Sequence, residues 1–425
     1  MLDLKLIREQ KETIKKNIAR KGAEEKLIDN VISLDQEYRE LLQKTEELKA
    51  KKNKTSEKIA KVEEKEKEEL IASMQKVSDE EREIMGKMRN LKNQLDNELI
   101  LIPNPPLPSV PDGQDSSENL VIKTIGEKPE FDFTPVDHVE LGEKLNLIDI
   151  ESASKTSGSR FYYLKNEAVL LEFALIQFTM KKLIQKGFIP IIPPVLVQEK
   201  AMFGTGFFPA DRNQIYHVNP EDDDLYLVGT AEVPLCMLHF NQIIPSEKLP
   251  LRYAGFSTCF RREAGTYGKD TRGILRVHQF DKIEMFSFCH PEKSEEEHDF
   301  ILTIEEEIMQ ELGLHYQVVN ICSGDLGAPA AKKYDIEVWL PGQSAYRELT
   351  SCSNCTDFQA RRSNIRYKAG KGKNEILHTL NGTACAIGRT LIAILENYQN
   401  QDGSIRVPEV LQGYIGKSVI EPLPK

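Results

Sequence analysis

The sequence lacks the features that mark membrane, secreted and disulfide-rich proteins. No apolar run in its 425 residues is long enough to span a bilayer, and its amphipathic N-terminus, of mixed charge, has no signal-peptide core. Its seven cysteines, an odd number confined to the second half, argue against a disulfide framework. These absences predict a cytoplasmic protein that keeps its thiols reduced.

Two further absences limit the chemistry. Cys352 and Cys355 form a lone CxxC, and no second CxxC or HxxxH completes a metal-binding set, so no zinc is expected. The net charge of −11 argues against nonspecific binding of nucleic acid through bulk charge, although a local basic face can still bind phosphates. The chain is nevertheless long enough for two or three domains.

The first quarter of the chain carries two heptad seams separated by the charged run EEKEKEE. Their positions are Val31, Leu34, Tyr38, Leu41, Thr45, Leu48, Lys52, Thr55, Ile59 and Val62, and then Leu70, Met74, Val77, Glu81, Ile84, Met88, Leu91 and Leu95. No proline interrupts either run. The spacing predicts two long helices, each about 45 Å, that fold back on each other as an antiparallel coiled coil.

Two roles suit such a helical hairpin. A dimerisation rod or scaffold is the usual role of a coiled coil. The first helix, however, carries a basic stretch in an acidic protein, which is typical of a surface that contacts phosphates. We therefore take six lysines as candidate RNA contacts: Lys49, Lys51, Lys52, Lys54, Lys58 and Lys61.

The prolines of IPNPPLPSVPDG, which follows Leu101, exclude a helix or a central strand and predict a stiff linker. Beyond it the sequence changes to mixed strands, helices and glycine turns. We therefore expect a coiled-coil domain at 1–110, a linker at 111–130 and a domain that carries the chemistry at 131–425.

A charged hairpin is predicted from FRREAGTYGKDTRGILRVHQFDKIEMF, residues 260–286, with Gly265, Gly268 and Gly273 in or beside its loop. Strand alternation assigns one face to Arg261 and Glu263, and one face of the returning strand to Arg276, Phe280 and Glu284. An exposed sheet with cross-strand ion pairs would explain the charges. It would not explain the ring, whereas a nucleotide site needs a ring for the base and arginines for the phosphates.

Four other segments accompany this hairpin. An apolar helix from Ala168 to Ile184 ends at Gly187 and leads into a strand that ends at Pro193 and Pro194. LVGTAEVPL contains Thr230, Ala231 and Glu232. YRELTSCSNC contains Glu348 and Ser351. NGT occupies 381–383, and Gly388 and Arg389 open a second apolar helix.

In this order the segments resemble the three signature motifs of class II aminoacyl-tRNA synthetases. The chain is similar to bacterial-type seryl-tRNA synthetases over essentially its whole length. The resemblance is carried by TAE at 230–232, FRRE at 260–263, RVHQFDKIEMF, RELTSCSN, NGT, the opening MLDLKLIRE and the coiled-coil arm. The resemblance implies an α+β fold: a long antiparallel coiled-coil arm, followed by a catalytic domain built on an antiparallel β-sheet flanked by helices. It also implies a homodimer with Pro194 at the interface.

The resemblance further implies that the chain activates L-serine with ATP and Mg²⁺ and transfers it to tRNA(Ser), and it leaves tRNA(Sec) open. Arg261, Glu348 and Arg389 would be catalytic. Arg261 would hold the α-phosphate and the serine carboxylate, Glu263 and Phe280 would contact adenine, and Arg389 would contact its other face and the γ-phosphate. Glu348 and Ser351 would bind the metal. Further ATP contacts would be Arg262, Arg276, Val277, Leu349 and Thr350.

The same resemblance implies a serine pocket. Thr230, Ala231 and Glu232 would surround the amino group, while Glu284, Asn381 and Thr383 would complete the pocket, with Glu284 and Thr383 receiving the hydroxyl. Many relatives have serine where this chain has Thr383, a departure that keeps a hydroxyl. Two rival hypotheses stay open: a synthetase-like ligase that loads a carrier protein, and an inactive paralogue that serves as a coiled-coil scaffold.

Overall fold

The computed structural model describes residues 1–265 and 272–422, with only the backbone of Glu64 and Lys371. The chain divides into two compact units, Met1–Pro103 and Asn104–Lys425. Gly268, which we placed in the hairpin loop, lies outside the described residues. Within the described ranges, no helix combines the length and the apolar character that crossing a membrane requires.

The first unit is helical. Its helices are α1 (Leu4–Glu9), α2 (Lys11–Ala19), α3 (Lys26–Ile59) and α4 (Glu64–Leu101). Asp3 caps α1 by accepting a hydrogen bond from the backbone N–H of Lys5. The apolar side chains of α1 and α2 pack against the base of α3 and α4 in one core, formed by Leu2, Ile7, Ile14, Ile18, Ile28, Val31, Leu95, Leu99 and Ile102.

Helices α3 and α4 form the predicted antiparallel pair. Every position of the two heptad seams is buried or half-buried. Contacts between the helices run from Asn30–Glu98 at the base, through Thr45–Met88 and Lys52–Glu81, to Ser56–Met74 near the tip. The turn lies earlier than expected, at 60–63, so most of EEKEKEE belongs to α4. Glutamate and lysine are good helix formers, which explains why the charged run extends the helix.

The second unit is α+β. Its strands are β1 (Leu120–Ile125), β2 (Ile148–Asp149), β3 (Tyr163–Leu164), β4 (Ile189–Ile191), β5 (Leu196–Gln198), β6 (His217–Val218), β7 (Leu225–Leu227), β8 (Ile243–Pro245), β9 (Leu251–Phe260), β10 (Gln279–Cys289), β11 (Tyr316–Asn320), β12 (Lys332–Leu340), β13 (Ala345–Asn354), β14 (Arg366–Lys368), β15 (Asn374–Ile376), β16 (His378–Ala386), β17 (Ile405–Arg406) and β18 (Val419–Ile420).

Its helices are α5 (His138–Lys144), α6 (Ile150–Ser157), α7 (Glu167–Gln185), α8 (Glu199–Thr205), α9 (Glu232–Met237), α10 (Ser294–Glu311), α11 (Phe358–Arg362), α12 (Ile387–Asn397) and α13 (Glu409–Ile415). Helix α7 matches the predicted helix, which ends before Gly187 at a φ of 88°. Helix α12 opens with Gly388 and Arg389, also as predicted.

Among the described residues, eight strands form the main sheet in the order β1-β11-β12-β13-β16-β10-β9-β4. All neighbours are antiparallel except β4 and β9. Helices α7, α10 and α12 contribute to the core on one face of the sheet, which Ile283 and Met285 of β10 enter. Phe286 and Phe288 of the same strand enter a second core on the other face. By alternation along β10, Lys282 and Glu284 also belong to the second face.

The predicted linker is part of the second unit. Asn104 is buried and donates hydrogen bonds from Nδ2 to the carbonyls of Pro329 and Cys355, both at 2.8 Å. Strand β1, inside the predicted linker 111–130, pairs with β11 at the edge of the sheet. The boundary between the two compact units therefore lies at 103/104. Proline fixes φ without preventing an extended segment from packing, so the prolines ended the helix correctly but did not mark an exposed linker.

Candidate active site

A cavity lies where β9 ends and β10 begins. It is lined by Arg261, Glu263, Ile274, Leu275, Arg276, Val277, Phe280, Lys282, Glu348, Leu349, Thr383, Ala386, Gly388 and Arg389. Nine of these residues were predicted from the sequence as site residues, although they are up to 128 positions apart in the chain (Arg261 to Arg389). Three separate sequence segments therefore meet in one concave surface, the arrangement expected of a ligand site.

The hairpin differs from its prediction at the open end. Strands β9 and β10 pair from Leu251↔Phe288 to Phe260↔Gln279, so Arg261, Glu263 and Arg276 lie beyond the strands. Alternation does not position them, and Glu263 has a left-handed φ of 48°. This part of the prediction was wrong because the chain leaves the sheet one residue before the charged triplet.

Hydrogen bonds hold these residues in place. His278 closes the hairpin: its carbonyl accepts from the backbone N–H of Arg261, and its Nδ1 donates to the carbonyl of Arg261, both at 2.9 Å. His278 therefore holds the open end of the hairpin together. The guanidinium of Arg276 lies 3.2 Å from the carboxylate of Glu263. Arg160 donates to the Glu263 carbonyl at 3.1 Å, which fixes the turn from the other side.

Two arginines and one ring form the wall of the cavity. The guanidinium carbon of Arg261 lies 5.3 Å from the centroid of the Phe280 ring. Arg389 donates to the backbone carbonyl of Glu348 at 2.7 Å and lies 3.3 Å from the Glu348 carboxylate. Planar guanidinium groups bind phosphates through paired hydrogen bonds, and aromatic faces stack on bases. The wall therefore suits a nucleoside polyphosphate.

Glu348 and Ser351 are three residues apart on β13, a spacing that would place them on opposite faces of a regular strand. The register shows an extra residue at this point: Glu348 pairs with Glu337, whereas Thr350 pairs with Ile336 and Ser351 with Asp335. Because Leu349 is the extra residue of a bulge, Glu348 and Ser351 share a face. The bulge thus gives the two predicted metal ligands a common orientation.

The oxygen atoms of Glu348 and Ser351 fit magnesium. Burial would raise the pKa of Glu348, but Arg389, Lys333, Arg261 and Arg276 outweigh it and lower that pKa, so the carboxylate is charged. No group of three or more His, Cys, Asp or Glu that could hold a metal was found in the described part of the chain. A site with few protein ligands is typical of magnesium bound together with nucleotide phosphates.

Beside the cavity, Glu284 forms the centre of a polar cluster. Its Oε2 accepts hydrogen bonds from Thr230 Oγ1 at 3.3 Å and from Thr383 Oγ1 at 3.4 Å. Lys282 forms an ion pair with the same carboxylate and lies 3.5 Å from Thr383 Oγ1. Thr383 lies directly opposite Glu284 on β16. The predicted hydroxyl pocket is thus formed by neighbouring side chains.

Lys282 was missed in the sequence analysis. It lies between Phe280 and Glu284 on β10, and the same alternation that grouped those two residues would have included it. Its ammonium group lines the cavity and contacts the hydroxyl pocket, so it links the two.

Glu232 lies at the start of α9 and is almost fully buried. Its Oε1 accepts hydrogen bonds from Gln359 Nε2 at 2.7 Å and from Asn381 Nδ2 at 2.9 Å. Burial, and then the nearby charge of Glu284, raise the pKa of Glu232 to about 7. A buried carboxyl group with that pKa is ready to pair with a cation. Gln359 gave no signal in the sequence, because its contacts depend on tertiary packing.

Two residues predicted to contact ATP, Arg262 and Thr350, lie apart from the cavity. Arg262 lines a separate groove with Arg212, Tyr216 and Tyr226. Thr350 donates from Oγ1 to the buried Glu305 of α10, on the helical face of the sheet. These two positions do not support a direct side-chain contact with ATP.

Ala231 is fully buried at the start of α9, whereas Pro194 is exposed. Of the six arm lysines, Lys52 is half-buried in the seam, where it pairs with Glu81 at 3.2 Å, and the other five are exposed.

Comparison with known proteins agrees with this geometry. The seryl-tRNA synthetase N-terminal domain family matches residues 1–106, and the class II tRNA synthetase core domain family (G, H, P, S and T) matches residues 216–398. The serine–tRNA ligase of Dictyoglomus turgidum is 48% identical, covering 99% of this chain and 100% of that protein. The serine–tRNA ligase of Thermobifida fusca is 44% identical, with 100% of each chain covered.

Solved structures give the same result. The seryl-tRNA synthetase of Pyrococcus horikoshii, crystallised with ATP, has a TM-score of 0.95 and 44% identity over 100% of both chains. The cytoplasmic serine–tRNA ligase of Naegleria fowleri, in complex with AMP, has a TM-score of 0.90 and 35% identity over 100% of this chain and 99% of that one. From its sequence and its fold, the chain belongs to the seryl-tRNA synthetase family of class II aminoacyl-tRNA synthetases.

Proposed function

We propose that the chain activates L-serine with ATP to form seryl-adenylate and then transfers the seryl group to the 3′ end of tRNA(Ser). The observation that carries this proposal is the direct contact between two sites. A cationic wall with an aromatic ring adjoins a buried acidic pocket, and Lys282 and Thr383 belong to both. ATP in the first site and serine in the second would bring the reacting atoms together.

The reaction needs positioning and charge neutralisation more than a catalytic base. A carboxylate oxygen of serine attacks the α-phosphorus, the bond to the β-phosphate oxygen breaks, and pyrophosphate leaves. Both reactants are anions, and we assign to Arg261 the task of holding them close. Arg389 would bind the γ-phosphate, and Phe280 and Glu263 would orient adenine. The 3′-hydroxyl of the tRNA then attacks the carbonyl carbon of the adenylate and AMP leaves.

Magnesium would be held by Glu348 and Ser351, whose oxygens share one face of β13. When bound, it would neutralise charge on the phosphates. The charged state of Glu348, maintained by Arg389 and its cationic neighbours, supports this assignment.

Serine would be recognised at both polar ends. We assign its ammonium group to Glu232, in a pocket with Thr230 and Asn381, and its hydroxyl to Glu284 and Thr383. The carboxylate of Glu284, which forms an ion pair with Lys282, would accept a hydrogen bond from the serine hydroxyl. A methyl group at the same place would leave these polar atoms without a partner, which is costly in a buried site.

The arm would bind the RNA. Lys51, Lys54, Lys58 and Lys61 are exposed and spaced three or four residues apart, which groups them on one side of α3 and its C-terminal turn. A row of this kind suits the regular spacing of phosphates in an RNA backbone. An RNA surface that used only uncharged groups would not require such a row of lysines.

We also propose a homodimer that forms in the cytoplasm. Large apolar side chains are exposed on α7 and on the segment that follows it, at Leu170, Phe173, Ile184, Ile189 and Ile192, where Ile192 is 83% exposed. Pro194 lies just beyond them. A second copy of the chain would cover an apolar surface of this kind. None of the seven cysteines, all of which lie in the described residues, forms a disulfide, which suits a reducing compartment.

ATP–pyrophosphate exchange tests the proposed function. We expect the purified protein with magnesium to catalyse exchange with serine, and to reject alanine by a factor of up to roughly 10⁴, because alanine leaves the hydroxyl pocket unpaired. Threonine would be excluded by its extra methyl group. Faster exchange with alanine, threonine or proline would contradict the serine assignment. Loading of a carrier protein in place of tRNA would favour the rival ligase, and no exchange with any amino acid would favour a scaffold.

The pKa of Glu232 predicts a pH dependence. The carboxylate binds the serine ammonium only when it is ionised, so a proton competes with serine below the pKa of about 7. We therefore expect the KM for serine to rise about tenfold for each pH unit below that value, while the KM for ATP stays nearly constant. Exchange rates at several serine concentrations across pH measure this. A KM for serine that is flat from about pH 6 to pH 8 would remove Glu232 from the ammonium site.

A further inference from the structure

We propose that Gln359 is a positioning residue that holds the carboxylate of Glu232 in one orientation and sets the pH range in which serine binds. This inference rests on the proposed function, because it takes the ammonium group of serine as the partner of Glu232. Gln359 lies in the first turn of α11 and has no exposed surface.

The side-chain amide of Gln359 has a single possible orientation. Its Nε2 uses both hydrogens, donating to the carbonyl of Thr205 at 3.1 Å and to Glu232 Oε1 at 2.7 Å. Its Oε1 accepts from Thr379 Oγ1 at 2.8 Å. A flipped amide would place its oxygen against the carbonyl of Thr205, which has no hydrogen to donate, and against the Glu232 carboxylate. The amide is therefore fixed by α8 on one side and β16 on the other.

The fixed amide leaves one oxygen of Glu232 available. Gln359 and Asn381 both donate to Oε1. Within the described residues, no donor reaches Oε2. An ammonium group that enters the pocket therefore meets an oxygen whose direction is already determined, so little ordering of the carboxylate is needed on binding.

Gln359 also affects ionisation. The charged groups that face Glu232 are Glu284 and Lys282 on β10 and Arg261 after β9; Glu284 opposes ionisation, and the two cations favour it. Cys236, on α9 itself, stays neutral because burial raises the pKa of its thiol to about 12. The hydrogen bond from Gln359 counteracts the burial of Glu232 and lowers its pKa. Without that bond, a larger share of Glu232 would be protonated at neutral pH.

The test compares full-length wild type with Gln359→Met, Gln359→Glu and the matched control Gln399→Met, by exchange kinetics across pH. Gln399 is also buried and also makes three hydrogen bonds, to Val136 and Glu396, away from the cavity. We expect Gln359→Met to move the acid limb of kcat/KM for serine toward higher pH by about one unit, which corresponds to about a fivefold higher KM at pH 7 and about a tenfold higher KM well below it. The KM for ATP should change less than about twofold.

Gln359→Glu keeps the shape of the side chain and covers the case in which the methionine variant does not fold. The carboxyl groups at positions 232 and 359 would then share a proton, so the acid limb of kcat/KM for serine should move to still higher pH. If the acid limb of kcat/KM for serine is unchanged in the folded Gln359 variants, Gln359 has only a structural role. The same conclusion follows if Gln399→Met shifts that limb equally. Absence of serine-dependent exchange in the wild type would instead reject the proposed function itself.

Discussion

Replacing Arg261 with alanine is expected to reduce serine-dependent exchange by at least about 100-fold, since the two anionic reactants lose the cation that lets them approach, a loss of about 3 kcal/mol or more. Arg261 is held at the cavity by a hydrogen bond from its Nε to the carbonyl of Gly229 at 3.2 Å. Initial rates with saturating serine and ATP measure the effect.

Two further variants sharpen this test. Arg261→Lys keeps the charge but loses the planar pair of donors, so an intermediate loss is expected. Arg406→Ala removes an arginine from the surface strand β17, where its guanidinium lies over Tyr398, and should leave exchange unchanged. If Arg261→Ala folds and retains more than about a tenth of the wild-type rate, Arg261 does not hold the reacting anions.

Shortening the arm is expected to abolish efficient charging of tRNA while exchange continues. Thr45 meets Met88 across the seam, so residues 47–86 can be replaced with a short glycine-containing turn that joins facing positions. This change removes all six candidate lysines and keeps the core at the base of α3 and α4. Because phosphate contacts dominate RNA affinity, kcat/KM for tRNA should fall by a factor of about 100 or more.

Charge reversal gives a milder form of the same test. Lys51, Lys54 and Lys58 changed to glutamate should raise the KM for tRNA(Ser) and lower its salt slope by about one per lost contact. Reversal of Lys144, Lys155 and Lys293, exposed lysines of the second unit, changes net charge equally and is the control. The same assay can include tRNA(Sec). An arm-shortened enzyme that charges tRNA normally would show that the coiled coil is a scaffold.

Periodic features of the sequence predicted structure well. The heptad seams gave α3 and α4, because burial in a two-helix pair depends mainly on spacing along one helix. The apolar spacing predicted helix α7 in the same way, and Gly187 predicted where it ends. The charged run EEKEKEE was misplaced because a polar segment can continue a helix as well as end it.

Features that depend on contacts between distant segments were harder to predict. Arg261 and Glu263 were assigned to a strand, but the hairpin opens at Phe260 and hydrogen bonds from His278 and Arg160 position them instead. The sequence around Gln359 contains no motif or periodicity that marks it as a site residue. The sequence named the residue types proposed for the site, whereas their orientations came from the tertiary structure.

The ion pair between Lys52 and Glu81 has a consequence for how the arm can vary in length. A polar pair in a mostly apolar seam favours one register, since sliding α3 along α4 would separate the two charges and leave each without its partner. Both helices must therefore gain or lose residues together. A paired change of seven residues would alter the reach of the arm by about 10 Å and keep every side chain on its face. Natural length variation in such arms is thus expected in paired steps of seven, each of which moves the lysine-bearing tip without rotating it.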